Sequence, residues 1–425
     1  MSEAAPRISS PRRTSLRWLI LLFLVAVLVR MAAIHWLAEP LQRDELDNHR
    51  LAVNLLAGEG YAVTTGRPTT YLPPVYPVFI ASVYALSGPD YRVVWYVQAA
   101  LNASLVFFMF HLGRLLFSEP VGYLAAGAHA LHPSFEIVTT LYRENVLILL
   151  LVALFYFLIR GFKEGRSRFF PLAGGVAGLL VLTNPVYFFL PLCILAVACV
   201  DRRLRPCLRR LLVVTLVPVV VWIPWQARNS LYPESHAEAD AYQHFALMFG
   251  HYPVFSGEYW WTLSDMVKLE QERQQARELL LRREQAAADL PLEDRIAKDK
   301  RDLIERILGR PVAYLKFVLN RDLIFLLSPP AGSSVLRDVH PTLALAVFWI
   351  NAMFVGTAVL FLLRTYWSDA SVSPIVGTLA YLLVVYGLVH AIRRYGYVME
   401  PAWCLFGAAA LYDWGTRCGW VSWRH

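Results

Sequence analysis

The sequence predicts an all-α polytopic membrane protein, and three observations carry that reading. Of 425 residues, 57% are hydrophobic and only 17% charged, with mean hydropathy +0.44. Soluble domains hold about 25% charged and about 45–50% apolar residues. Second, the charge is bunched: Thr262–Leu308 carries 11 of the 32 acidic and 10 of the 40 basic residues. Third, the remainder falls into apolar runs of spanning length separated by short arginine-rich loops. A soluble enzyme and a disordered chain are excluded.

A span needs about 20 mostly apolar residues to cross a hydrocarbon core of about 30 Å. Ten spans are expected near 16–36, 92–113, 120–138, 145–161, 169–183, 186–200, 211–226, 341–363, 372–390 and 399–415. The first run, Leu16–Ala38, is too long for a signal peptide and lacks a small-residue cleavage site, so it reads as a retained anchor. Gly174, Gly175 and Asn184-Pro185 make the fifth and sixth spans short. An even count places both termini on one side. Arg7, Arg12, Arg13 and Arg17 precede the first span. Arg160, Lys163, Arg166 and Arg168 fill one loop, and Arg202, Arg203, Arg205, Arg209 and Arg210 another. Short loops rich in Lys and Arg mark the cytoplasmic side, so both termini are expected there. The net charge of +8 is thereby read as topology rather than as a nucleic-acid footprint. Five cysteines without a CxxC spacing suggest neither a zinc site nor a disulfide framework.

Four regions follow: a cytoplasmic tail 1–15, a transmembrane module 16–226 with a first external loop 39–91, an extracytoplasmic helical loop 227–340, and C-terminal spans 341–425. Loop 39–91 contains a helix-like stretch, Glu45–Leu56, and a proline-rich turn, Pro73-Pro74-Val75-Tyr76-Pro77. A short apolar run, Val78–Leu86, comes next. That run is below spanning length and fits an interfacial helix. The charge-dense segment reads as two solvated helices broken at Leu290-Pro291. No fixed-period repeat is visible, so an inverted-repeat transporter finds no support.

With the topology drawn, polar groups gather at one face. Asp44, Glu45, Asp47, His49 and Arg50 follow the first span. His132, Glu136, Arg143 and Glu144 lie at the hairpin of the third and fourth. Asn184 sits at the turn of the fifth and sixth, Arg228 and Asn229 at the end of the seventh, and His390, Arg393, Arg394 and Tyr395 at the end of the ninth. Ionisable residues at membrane depth are costly and mark sites or pathways. Singly, each has a plainer role: Arg393 and Arg394 as interfacial anchors, Glu144 as a helix-start carboxylate, His132 as a turn residue before Pro133. Together, carboxylates, imidazoles and guanidiniums describe a cavity that accepts a proton and holds a phosphate.

The order of these motifs resembles the GT-C glycosyltransferases, in particular the branch of protein O-mannosyltransferases and lipid A aminoarabinose transferases. Asp44-Glu45 resembles the acidic motif of that family's first external loop, and Ala57-Gly58-Glu59-Gly60-Tyr61 its A-x-G-x-G-Y stretch. The Pro73–Pro77 turn resembles P-P-L-Y-P, and Leu112-Gly113-Arg114-Leu115-Leu116-Phe117 resembles L-G-R-x-L-F. Arg143-Glu144-Asn145 falls where the family carries a glutamate opening the fourth span. Leu182-Thr183-Asn184-Pro185 resembles L-T-R-P, Pro224–Asn229 resembles P-W-x-x-R-N, and His390 with Arg394-Tyr395 resembles H-x-x-x-R-Y. The likeness runs over about residues 16–415. Two departures stand out. Asn184 replaces the usual arginine, and Leu72 stands where aminoarabinose-type members have a lysine before Pro-Pro, with Arg67 as a candidate substitute. The sequence stops at the tenth span, without the soluble C-terminal domain of several members.

The resemblance implies a GT-C-like bundle of about ten transmembrane helices with extracytoplasmic interfacial helices, in a bacterial inner (cell) membrane. It implies transfer of one sugar from a polyprenyl-phosphate donor, with inversion, to an acceptor glycan, lipid or protein, and no nucleic-acid partner. A positioned carboxylate suits removal of the acceptor proton, with Asp44 the first candidate and Glu45 the second. Neighbours in a helix do not share a face, so one of them is expected to point into the cavity. Arg67, Arg143, Arg228, Arg393 and Arg394 are candidates for the lipid phosphate, because guanidiniums stabilise growing phosphate charge. Tyr71, His132, Glu144, Asn184, Asn229, His390 and Tyr395 are further substrate-binding candidates. Asp44, Glu45, Glu144 and the histidines are also hard ligands suited to Mg²⁺ or Mn²⁺, and the family has metal-using and metal-free members. Two other classes stay open here: a lipid-linked sugar flippase or other transporter, and a non-catalytic scaffold of the same fold.

Overall fold

The computed structural model describes residues 13–251, 254, 278, 282, 285, 289–327, 341–388 and 393–419. Among them are sixteen α-helices and no strand, with an isolated bridge between Thr64 and Arg67 closing a turn. In chain order the helices are α1 Arg13–Leu37, α2 Arg43–Leu56, α3 Val75–Ser87, α4 Tyr91–Leu116, α5 Glu119–Leu131, α6 Glu144–Glu164, α7 Phe169–Thr183 and α8 Leu190–Val200. They continue as α9 Leu208–Ser230, α10 His236–Gly250, α11 Leu292–Gly309, α12 Pro311–Leu327, α13 Pro341–Ser368, α14 Ser373–Leu388, α15 Arg393–Gly396 and α16 Glu400–Arg417.

Six stretches among the described residues are long and apolar enough to cross a membrane: Leu16–Leu37, Tyr91–Leu116, Glu144–Glu164, Arg205–Ser230, Trp349–Ser368 and Ala370–Leu388. Six of the ten predicted spans therefore meet the requirement by themselves. Of the remaining four, 120–138 is not one helix. It is α5 followed by a 3₁₀ stretch, Pro133–Thr139, with His132 extended between them at φ −63° and ψ 131°. Proline restricts the residue before it to extended conformations, which ends α5 there. The pair at 169–183 and 186–200 is short, as expected: α7 has 15 residues and α8 has 11. The fourth, 399–415, is α16, which carries Glu400, Asp413 and Arg417 in 18 residues.

α16 runs through the centre. Pro401–Ala410 is buried without interruption, against α5 and α13. Around it, α4 packs on α1, α5 and α6, and a second layer continues through α7, α9, α8 and α14. Two glycine contacts set how closely helices approach. A Cβ on Gly113 of α4 would stand 2.6 Å from the Cα of Gly122 on α5. On α7, Cβ atoms at Gly174 and Gly178 would stand 3.2 Å from Val217 and Val221 of α9. Without a hydrophobic drive between helices in lipid, such small-residue contacts carry the packing. The outer faces of α1 and α9 stay exposed and apolar, with Trp18, Leu24 and Leu28 on one and Leu216, Val220 and Ile223 on the other. Those faces suit contact with lipid.

The stretch after α1 folds back over one end of the bundle. α2 begins with a capping box, in which Glu45 Oε2 accepts from the Gln42 backbone N–H at 3.1 Å. The proline-rich turn then starts α3, which lies on α2 and α4. His49 Nδ1 and the Tyr84 hydroxyl, 2.7 Å apart, tie α2 to α3. α12 packs on α13 and α14, and Asn351 Nδ2 donates to the Leu327 carbonyl at 3.1 Å. Part of the 227–340 loop therefore lies against the bundle. Most of its charge-dense segment falls outside the described residues.

Gly113 has no room for a methyl group, whereas Gly175 on α7 has nothing within 4 Å. Gly113→Val should therefore destabilise by about 1–3 kcal/mol or more through overpacking. Gly175→Val should cost less than half as much. Thermal denaturation of both variants in the same detergent checks the order.

Candidate active site

α2 presents Asp44, Asp47 and Asn48 on one face, since residues three and four apart are neighbours on a helix. Opposite them are the loop residues Tyr142 and Arg143 with Glu144 at the start of α6, Thr183 at the end of α7, and Arg394 on α15. Tyr71, Leu72, Pro73, Tyr76 and Pro77 complete a small, partly open cleft. Five separated parts of the chain contribute to it.

Arg394 is its centre. Its Nη2 donates to Asp44 Oδ2 at 2.9 Å, and its Nε stands 3.7 Å from Glu144 Oε1. The guanidinium lies over the Tyr142 ring at 4.3 Å, a cation–π distance. Glu144 Oε1 and Arg394 Nε are both buried without a hydrogen bond. Burial acts to lower the guanidinium pKa, but the surrounding Glu144, Tyr395, Asp44 and Tyr142 outweigh it and hold the group well above its ordinary value. Burial pushes the Tyr142 hydroxyl up to about 12, with Glu45 adding to the shift. Asp47 is also raised by burial, partly offset by the hydrogen bond that the Tyr71 hydroxyl donates to it at 3.3 Å.

The adjacent carboxylates of the sequence motif do different work. Asp44 is half-buried and lines the cleft. Glu45 is buried and faces away: Oε1 accepts from the Leu141 N–H at 2.8 Å while Oε2 completes the α2 capping box. Desolvation raises its pKa, and the two backbone donors pull it back. Glu45 thus stitches α2 to the segment that carries Tyr142, Arg143 and Glu144.

Of the other sequence candidates, Tyr71, Arg143, Glu144 and Arg394 line the cleft. Tyr395 lies beside it and stacks on Tyr386 with ring centroids 4.6 Å apart. Asn184 is buried and its Oδ1 accepts from the Val186 N–H at 3.1 Å, capping the turn after Thr183. Arg228 lies outside the cleft lining. It donates to the carbonyls of Thr69 at 2.6 Å and Tyr61 at 3.2 Å and sits among the rings of Tyr61, Trp225 and Tyr232. Asn229 accepts from it at 3.0 Å, so this pair fastens the end of α9 to the 61–70 loop. Arg67 is exposed on the turn at Thr64–Arg67. His132 accepts from the Ser134 N–H and stands 4.0 Å from Glu400. Arg393 shares α15 with Arg394, and His390 lies outside the described residues.

Tyr142 and Thr183 were not singled out from sequence, although each adjoins a residue that was. A deeper polar cluster was also missed. Arg30, His129 and Glu400, from α1, α5 and α16, are buried together with Asn102 and Cys404. Among the described residues, no three His, Cys, Asp or Glu side chains converge to hold a metal ion. Of the three cleft carboxylates, Asp44 and Glu144 face the guanidinium of Arg394, and Asp47 accepts from the Tyr71 hydroxyl.

Comparison with known proteins bears on this arrangement. A family model described as Dolichyl-phosphate-mannose-protein mannosyltransferase matches residues 72–225. That stretch holds the proline-rich turn, Glu144 and Thr183, and begins after Asp44. No curated protein sequence matches the chain. Among solved structures, it resembles the Archaeoglobus fulgidus oligosaccharyltransferase AglB in complex with an inhibitory peptide and a dolichol-phosphate, at TM-score 0.54 and 14% identity. That match covers 97% of this chain and 52% of the archaeal one. The apo form of the same enzyme gives TM-score 0.53 and 14% identity over 95% and 51%. The chain has the GT-C fold. It spans about half the length of these archaeal chains. ArnT from Cupriavidus metallidurans bound to undecaprenyl phosphate also matches, at TM-score 0.44 and 14% identity over 94% and 79%. The all-α GT-C bundle expected from the sequence is therefore the fold observed.

The different work of Asp44 and Glu45 gives a direct test. Glu45→Gln removes a buried charged acceptor of two backbone hydrogen bonds and should cost about 1–3 kcal/mol of stability. Asp44→Asn alters a half-exposed ion pair and should stay within about 1 kcal/mol. Melting temperatures in detergent distinguish them; equal losses would contradict the assignment.

Proposed function

We propose that this chain is an integral-membrane glycosyltransferase that takes a sugar from a polyprenyl-phosphate donor and passes it to an acceptor in the Asp44 cleft, with inversion. One observation carries the reading: a carboxylate and a guanidinium, Asp44 and Arg394, face each other at 2.9 Å in a cleft walled by helix starts and a proline-rich turn. The GT-C fold and the partial family match support it. α6 runs from Glu144 at the cleft to the arginine-rich loop 160–168, and by the positive-inside rule this supports an extracytoplasmic cleft.

The chemistry follows from the charges. The acceptor hydroxyl gives its proton to the Asp44 carboxylate as its oxygen attacks the anomeric carbon. The bond from that carbon to the phosphate oxygen breaks, and the electron pair leaves on the lipid phosphate. Negative charge grows on the phosphate in the transition state, where a fixed guanidinium is most effective. Arg394 supplies it, with Arg143 beside it on the same wall. Arg394 is paired with Asp44, and that pairing occupies the carboxylate oxygen that would take the proton. Arrival of the donor phosphate draws the guanidinium toward it and frees Asp44, so donor binding readies the base. Glu144 keeps Arg394 charged and directed into the cleft. The donor sugar is a hexose or pentose unit, and the acceptor is a glycan, lipid or protein.

The test is transfer from a panel of radiolabelled undecaprenyl-phosphate sugars in proteoliposomes that contain membrane extract as acceptor source. Asp44→Asn should lower kcat by about 10²–10⁴-fold, the usual contribution of a general base. Arg394→Lys should fall by a similar factor, because a point charge does not replace a bidentate fork. Undiminished transfer in Asp44→Asn would sink the mechanism.

A further inference from the structure

Arg394 sits on α15, a helix of four residues, Arg393–Gly396. A helix this short cannot hold itself, because nucleation is costly and too few hydrogen bonds follow it. Its position must come from outside. Tyr395 supplies part of this by stacking on Tyr386. α12 packs against α15, and the segment continues through a 3₁₀ turn at Tyr397–Met399 into α16. The side chains at 394, 397 and 400, three residues apart, reach three different elements. Arg394 meets Asp44 on α2, Tyr397 donates its hydroxyl to Glu136 in the 3₁₀ stretch, and Glu400 meets His129 on α5.

The second and third of these contacts are buried on both sides. Glu136 is 8% exposed, Tyr397 7%, Glu400 3% and His129 1%. His129 Nδ1 lies 3.1 Å from both oxygens of Glu400. Arg30 closes the far side: it donates to Asn102 Oδ1 at 2.7 Å and to the carbonyl of Ala130 at 3.1 Å, and its Nη2 is 3.3 Å from His129 Nε2. None of Tyr397, Glu136, Glu400, His129 or Arg30 lines the cleft. Stability alone is a weak reason for such a network, since well-packed apolar residues commonly replace buried ion pairs at no loss. What the network does supply is a fixed register for the segment, one turn away from the guanidinium that the reaction needs.

We infer that Tyr397 and Glu400 are positioning residues, which through Glu136 and His129 hold Arg394 at the distance from Asp44 that the donor phosphate requires. The inference rests on the reading of Arg394 as the phosphate-binding group. It predicts that Tyr397 acts through Arg394 and not through the fold at large.

Tyr397→Phe deletes one hydroxyl and keeps the ring, and Glu400→Gln removes the charge from the second anchor. The probe is undecaprenyl phosphate, bound to protein in detergent and measured by native mass spectrometry. Tyr397→Phe should weaken binding three- to tenfold with a melting temperature within a few degrees of wild type. In an Arg394→Lys background the same substitution should weaken it no further. An equal loss in both backgrounds, or none in either, would overturn the inference. A cryo-electron microscopy structure of Tyr397→Phe in nanodiscs reads positioning without any ligand. Arg394 drawn away from Asp44 supports the inference, and Arg394 unmoved at 2.9 Å refutes it, whatever the lipid does. If wild type and Arg394→Lys bind undecaprenyl phosphate equally well, the phosphate role of Arg394 fails instead, while the variant structure still decides the positioning role. Should Glu400→Gln fail to fold, Tyr397→Phe carries the test alone.

Discussion

Charge in this bundle is held only in company. A lone ion inside an apolar medium is so costly that it must be paired, hydrogen-bonded or led to water. Four sites among the described residues show this: Glu45 between two backbone amides, Glu400 against His129, Arg30 among carbonyls and Asn102, and Arg394 between carboxylates and a tyrosine ring. The helices that carry these groups are thereby bound to particular neighbours in a particular register. Apolar packing around α16 supplies the bulk of the contact, but leucine against leucine is tolerant of sliding. The polar pairs are not.

Much of this was legible in the amino-acid sequence because lipid imposes a strong pattern. Six spans followed from length and hydropathy. The short α7 and α8, and α3 as a non-spanning apolar helix, followed from the same rule applied to shorter runs. Asp44, Arg143, Glu144, Tyr71 and Arg394 were recoverable because polar residues stand out against an apolar background and because their order matched a known motif series. The split at His132-Pro133 was visible as a turn signal but was outvoted by the hydropathy of 120–138.

What sequence could not give was direction. Asp44 and Glu45 are equivalent as letters, and only the i, i+3 face shared with Asp47 separates them once α2 is placed. Arg228 has the same composition signal as Arg394, yet one is enclosed by rings and carbonyls of a nearby loop while the other stands in the cleft. His129, Arg30 and Glu400 sit inside or at the start of apolar stretches, and no local pattern joins residues 30, 129 and 400. Their association exists only in three dimensions, where α1, α5 and α16 meet.

The ion pair between residues 44 and 394 joins parts of the chain separated by 350 positions. Synthesis is vectorial, at about 5–20 residues per second. Asp44 therefore emerges and enters the bilayer tens of seconds before its partner has been made. During that interval the first helices rest beside a carboxylate that has yet to meet its guanidinium partner. The link between α2 and the later helices is thus one of the last to close: a chain cut anywhere before α15 keeps its early helices but lacks the contact that fixes Asp44 against the later ones.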